Sequence, residues 1–221
     1  MIDVIDIRRT IPRHTTRKWK TRSKADRIVV HTTASDNQDP NKTARYHVTP
    51  SENNHISKKG APGLCYTDFI TKTGTVYHCN DYQDITWHCG KWNTRSVGVV
   101  MAFKGQDGDP PEEAQYTALL EHLVILCLYL NISPNHVIGH REVPGIMTIL
   151  GNGSRKYKKK CPGMGINLDE MRKDLTGRIQ RRLSCEGLYL SQITSVLDDQ
   201  TKAAMNLFAQ GIQHKIKWKT K

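Results

Sequence analysis

Residues 27–35 read Arg27-Ile28-Val29-Val30-His31-Thr32-Thr33-Ala34-Ser35 (RIVVHTTAS), and this stretch decides the fold. Ile28, Val29 and Val30 follow one another with no polar alternation. That pattern belongs to a strand covered on both faces, as in the middle of an α/β sheet. His31 closes the run, so a buried strand delivers a histidine at its C-terminal end. The turn-forming residues Asp36, Asn37, Asp39 and Pro40 follow, and Asn41 is expected to cap a helix through about His47.

Further along the chain, Leu64–Thr71 and Thr75–Cys79 are rich in aromatic and β-branched residues and meet at Lys72-Thr73-Gly74, which predicts a hairpin. Ile85–His88 and Ser96–Phe103 supply two further strands, the second uniformly apolar and so central. Glu112–Leu130 repeats apolar residues at helical spacing, with Glu112 and Glu113 in the first turn. Val137-Ile138 forms a last short strand that runs into Gly139-His140-Arg141-Glu142. The stretch 151–160 (GNGSRKYKKK) is a basic loop ended by Cys161-Pro162-Gly163.

The order of strand, helix, hairpin, strands, helix and strand implies an α/β fold: one mixed central β-sheet flanked by helices. After about Arg172 the composition shifts to a small C-terminal all-α segment, with short helices expected at Leu175–Leu183, Ile193–Val196 and Thr201–Gln210 and a basic end, KIKWKTK. The chain divides accordingly into an N-terminal basic arm (1–26), a main domain (27–172) and a helical segment (173–221).

Thirty-three Lys and Arg against 21 Asp and Glu leave a net charge of +12, which favours an anionic partner. The basic residues are dispersed and carry no recognisable nucleic-acid motif, so a nucleic-acid partner is not expected. No window of about 18 apolar residues occurs, so no transmembrane helix is expected. The N-terminus has basic residues without an apolar stretch after them, so no secretory signal is expected. Synthesis in a cytosol then makes reduced thiols the expected state of the six cysteines. Cys79 and Cys89 are the pair to test should the protein reach an oxidising space.

Three metal-binding residue types stand at strand ends or beside them: His31, His140 and Cys161. Zinc takes imidazole nitrogen and thiolate sulfur, and catalytic sites use three protein ligands from separate segments with a fourth position open. Spacing alone does not choose between this and the ordinary role of a strand-end histidine, a hydrogen-bonded core residue.

The segments VVHTTAS, PGLCYTDFITKTGTVY, WHCGKWNTRSVGVVM, VIGHREV and KKKCPG, in this order across roughly residues 27–172, resemble the zinc amidases of the phage endolysin and peptidoglycan-recognition-protein superfamily. The resemblance implies Zn2+ held by His31, His140 and Cys161, with Tyr66 and Lys159 as catalytic residues. It also implies that His88, in Trp87-His88-Cys89-Gly90, lies at the substrate. Thr67 departs from the pattern, standing where the family has histidine. The interval between His140 and Cys161 is longer than in the shortest phage members, which leaves Lys158, Lys159 and Lys160 to be distinguished.

The implied reaction is hydrolysis of the amide between N-acetylmuramic acid and L-alanine of bacterial peptidoglycan. Lys159 would meet the developing oxyanion, and Tyr66 would position the water or protonate the leaving amine. A cytosolic phage lysin that reaches the wall or periplasm once the membrane is permeabilised fits these features, and a monomer is expected. Fragments in the last 49 residues resemble a small three-helix peptidoglycan-binding module, with Thr194–Asp199 where its glycine-containing turn would lie. A non-catalytic recognition protein of the same fold and a basic nucleic-acid-binding protein are the competing readings.

Overall fold

The computed structural model describes residues 2–105, 108–150, 154–212 and 219–220. A sheet in the order β6-β2-β5-β3-β4-β1-β9 runs through it. Its strands are β1 (Val4–Asp6), β2 (Arg27–Thr32), β3 (Asp68–Ile70), β4 (Val76–His78), β5 (Ser96–Met101), β6 (Val137–Gly139) and the two-residue β9 (Lys219–Thr220). β2 lies between β5 and β6, parallel to both, while β3 and β4 pair antiparallel. The sheet is therefore mixed, as its residue pattern implies, and β2 is central because Ile28, Val29 and Val30 are all wholly buried.

Alternation along β2 sorts its side chains between two layers. Ile28 and Val30 join a large core with Leu119, Leu123 and Leu126 of α2 (Glu113–Leu130). Val29 packs on the opposite face with Cys89 and Val143, and His31 shares that face by period. The remaining helices are α1 (Pro40–Val48), α3 (Leu168–Cys185) and α4 (Asp199–Ile212). α1 begins two residues earlier than expected: Asp39, not Asn41, is its cap, accepting from the Lys42 N–H at 2.8 Å with Pro40 at the first helical position.

Other expectations need correction. Ile85–His88 is not a strand. The Ile85 N–H donates to the Lys20 carbonyl (2.8 Å), and the chain then turns inward with the His88 and Cys89 N–H groups both on Asn93 Oδ1. The first hairpin strand shrinks to Asp68–Ile70, because Leu64–Tyr66 is held by side chains instead of a neighbouring strand. The N-terminal arm is no loose extension: Val4–Asp6 pairs parallel with β4, and Arg22 is buried, its guanidinium on the carbonyls of Tyr82, Asn93, Ser96 and Asp84.

The basic stretch before Cys161 contains a separate hairpin, β7 (Met147–Ile149) with β8 (Arg155–Tyr157); residues 151–153 of the expected loop lie outside the described residues. So do residues 106–107 of the break before α2, and all of the basic C-terminal end except the backbone of β9. Ile193–Val196 is irregular, not helical. α3 begins at Leu168, ahead of the boundary drawn at 172. Leu175, Ile179, Leu183, Tyr189, Met205 and Phe208 belong to the same core as α2, so the C-terminal helices cover the face of the sheet that His31 does not use. All six cysteines are free thiols, and no helix among the described residues is long and apolar enough to cross a membrane.

Candidate metal centre

Parallel pairing of β2 with β6 sets Val30 beside Gly139, which brings the next residue of each strand, His31 and His140, side by side. Their ring centroids are 4.5 Å apart. Glu142 holds the turn that carries His140: it accepts from the Gly139 N–H (3.1 Å) and takes both guanidinium nitrogens of Arg172 from α3 (2.8 and 3.1 Å). Gly139 also permits close approach, because a Cβ there would lie 2.8 Å from Pro162 Cδ and 2.6 Å from Leu168 Cδ1.

Cys161 arrives from the far end of the β7–β8 excursion and is fixed by Arg141. The Arg141 N–H donates to the Cys161 carbonyl (2.8 Å), and its buried guanidinium donates to the carbonyls of Gly163 and Ile166, the latter at 2.6 Å. Cys161 Sγ then lies 3.8 Å from His31 Nδ1 and accepts from the Thr32 N–H at 3.4 Å. One donor atom from each of His31, His140 and Cys161 falls within 4.8 Å of the others, which among the described residues is the one such cluster of metal-binding side chains.

Electrostatics follow from burial. Desolvation, then His140, His88 and Lys159, push His31 well below the ordinary histidine range. Burial followed by Lys159 lowers His140 to about 4. Both imidazoles are thus neutral at pH 7, with lone pairs free for a cation. Burial raises the Cys161 thiol to about 11, opposed by the Thr32 N–H, Lys159 and Arg141. The charge of Lys159 acts on all three donors.

The Tyr66 ring lies 5.1 Å from that of His31, and burial raises its phenol far above neutrality, so the group stays protonated. Two side chains that pattern did not single out hold its segment. His47 Nδ1 accepts from the Cys65 N–H (3.0 Å), and Asn80 Nδ2 donates to the carbonyls of Leu64 (2.8 Å) and Tyr66 (2.6 Å). Their partners are backbone groups, which leave no trace in sequence. His88 is 7% exposed, with one ring nitrogen 2.9 Å from His31 Nε2 and the other 3.3 Å from the Ser96 carbonyl.

The profile of the N-acetylmuramoyl-L-alanine amidase family matches residues 21–164. The chain belongs to this family. A comparison with curated proteins returned no match. Among solved structures, the amidase LysC from Clostridium intestinale URNW superposes with a TM-score of 0.61 at 19% identity, over 79% of this chain and 98% of that one. The Ph2119 endolysin from the Thermus scotoductus bacteriophage Ph2119 gives 0.56 at 18% identity, over 76% and 96%. Drosophila peptidoglycan recognition protein SD gives 0.56 at 16%, over 75% and 91%. At these identities the likeness is one of fold, and it covers amidases and recognition proteins alike.

The donor set of this family member fits zinc. Tetrahedral zinc with bonds of about 2.0–2.3 Å separates its ligands by about 3.3–3.8 Å. The Nδ1–Sγ distance of 3.8 Å lies at that limit, the full set lies within 4.8 Å, and two neutral imidazoles with one cysteine sulfur, binding as thiolate, make a donor set that zinc prefers.

Proposed function

We propose that the protein is a zinc-dependent amidase that cleaves the bond between N-acetylmuramic acid and L-alanine in bacterial peptidoglycan. The observation that carries the reading is the convergence of His31, His140 and Cys161 within 4.8 Å in a chain of the N-acetylmuramoyl-L-alanine amidase family. Zinc, when bound, supplies a Lewis acid that activates water and polarises the substrate carbonyl.

The protein's own residues do the rest. Lys159 is an exposed cation whose field reaches the metal-binding cluster, and it meets the charge that develops on the carbonyl oxygen. Tyr66, protonated at neutral pH, has a proton to give to the departing alanine amine. The net charge of +12 concentrates the protein on anionic wall polymers.

A phage lysis enzyme, acting at the wall as a monomer after membrane permeabilisation, is the setting we infer, with the fold shared with the Ph2119 endolysin in support. A wall-binding role for residues 173–221 would rest on exposed apolar side chains such as Leu190, Val196 and Leu207.

The second reading is a wall-recognition protein without catalysis, which the shared fold with peptidoglycan recognition protein SD supports. Incubating purified wall with the metal-stripped and the zinc-reconstituted protein separates the two. Zinc uptake with restored solubilisation of stem peptides supports the amidase, and retention on wall without release in either form supports recognition.

A further inference from the structure

The hydrogen bonds around His88 point to one arrangement of protons. Its Nε2 lies 3.3 Å from the Ser96 carbonyl, which can only accept. The same nitrogen lies 3.3 Å from Ser96 Oγ, whose own proton goes to the Trp92 carbonyl at 2.7 Å. The carbonyl takes a proton from Nε2, and the hydroxyl, committed to Trp92, accepts as well; Cys89 Sγ, 3.9 Å from the same nitrogen, is the one neighbour left that could donate to it. A neutral imidazole carries a single N–H, so His88 Nδ1 is an acceptor. The atom 2.9 Å from it is His31 Nε2, which must therefore donate. His31 is left with a lone pair on Nδ1, the nitrogen that faces Cys161 Sγ at 3.8 Å.

We propose that His88, anchored on Ser96, is a positioning residue that selects the Nε2–H tautomer of His31 and holds its ring so that Nδ1 points into the metal site. Histidine ligands generally donate their second nitrogen to a carbonyl, carboxylate or water, which fixes both tautomer and orientation. Here the acceptor is a second imidazole, itself oriented from behind.

The surroundings are built for that orientation. The N–H groups of His88 and Cys89 both donate to Asn93 Oδ1, at 3.0 and 2.7 Å, which turns the His88 side chain inward. In β5 the neighbouring residue is Gly98, where a Cβ would lie 2.8 Å from His88 Cγ, so the glycine makes room for the ring. A histidine that only filled space beside Trp87 would need neither acceptor on Ser96 nor a nitrogen aimed at His31.

The inference rests on the zinc reading of the cluster, and its test separates the two. In metal-free, 15N-labelled wild-type protein, long-range 1H–15N correlation at neutral pH reads each histidine tautomer. His31 is expected as the Nε2–H form; the Nδ1–H form overturns the proposal. Zinc affinity is then measured by competition with a chromophoric chelator in wild type, H88N and H88F. Asn keeps an acceptor where Nδ1 stood and should stay close to wild type. Phe removes it and should weaken binding by about 10–100-fold. A folded H88F that binds zinc as tightly as wild type also overturns the proposal. Wild-type protein that takes up no zinc refutes the zinc reading instead, while the metal-free His31 tautomer still decides the role of His88.

Discussion

Replacing Arg141 with methionine keeps most of the side-chain stem and removes the guanidinium that holds the turn bearing Cys161. Arg141 is 5% exposed and donates to the carbonyls of Gly163 and Ile166. Hydrogen bonds from a charged donor contribute about 1.5–3 kcal/mol each, so their gross loss is about 3–6 kcal/mol. Methionine avoids dehydrating a buried cation, which offsets part of this and leaves a net destabilisation of about 2–4 kcal/mol. In urea, with a slope of about 2 kcal/mol/M, the unfolding midpoint should fall by about 1–2 M. Because the turn positions Cys161, zinc affinity measured by chelator competition should fall at least about tenfold, the lower range for outer partners of metal ligands. A midpoint within about 0.2 M of wild type together with unchanged zinc affinity would refute the reasoning, since the turn would then be held without the guanidinium.

Other perturbations probe other parts of the molecule. Asp68 is fully buried, with His78 Nδ1 at 2.7 Å and His122 Nε2 at 3.0 Å. Burial alone would raise its carboxyl, but His122 and His78 outweigh burial and hold it at about 2, against an ordinary 3.8. A depressed folded-state value stabilises above the unfolded value and is lost as pH falls, so roughly 2 kcal/mol should disappear between about pH 4 and 2. Asp68→Asn should cost about 3 kcal/mol at neutral pH in urea unfolding and remove that acid step. Phe208→Ala, on α4, should destabilise the whole chain by about 3 kcal/mol in a single transition, whereas a separate second transition would mean that the C-terminal helices fold by themselves. Tyr66→Phe should lower kcat on peptidoglycan by about 100-fold with zinc content unchanged; loss of zinc would move Tyr66 from chemistry to structure. Lys159→Ala should lower kcat by about 100-fold and Lys158→Ala should not, and equal effects would refute the assignment of Lys159.

The central features of the fold were legible because they rest on periodicity. Ile28–Val30 could only be a covered strand, and the spacing of Leu119, Leu123 and Leu126 could only be a helix laid on it. His31 and His140 were visible as strand-end histidines, but their adjacency depends on a parallel register that no local pattern encodes. Ile85–His88, expected as a strand, is not one. The competing force is the pair of N–H groups capped by Asn93, which turns the chain. The resemblance of the Trp87–Gly90 segment implies a place for His88 at the substrate, but a motif records that a histidine is present, not which way its ring faces. His47, Asn80 and Arg141 act on backbone carbonyls and N–H groups, whose positions exist only after folding.

The account turns on which bond is broken and on Cys161 as a ligand. A defined muropeptide, N-acetylmuramic acid carrying its stem peptide, incubated with zinc-loaded wild type and with Cys161→Ala and analysed by mass spectrometry, decides both. The account predicts free stem peptide with an L-alanine amino terminus and an intact sugar from wild type, and neither product from the variant. Cleavage inside the peptide or the glycan, or equal release by Cys161→Ala, would contradict it.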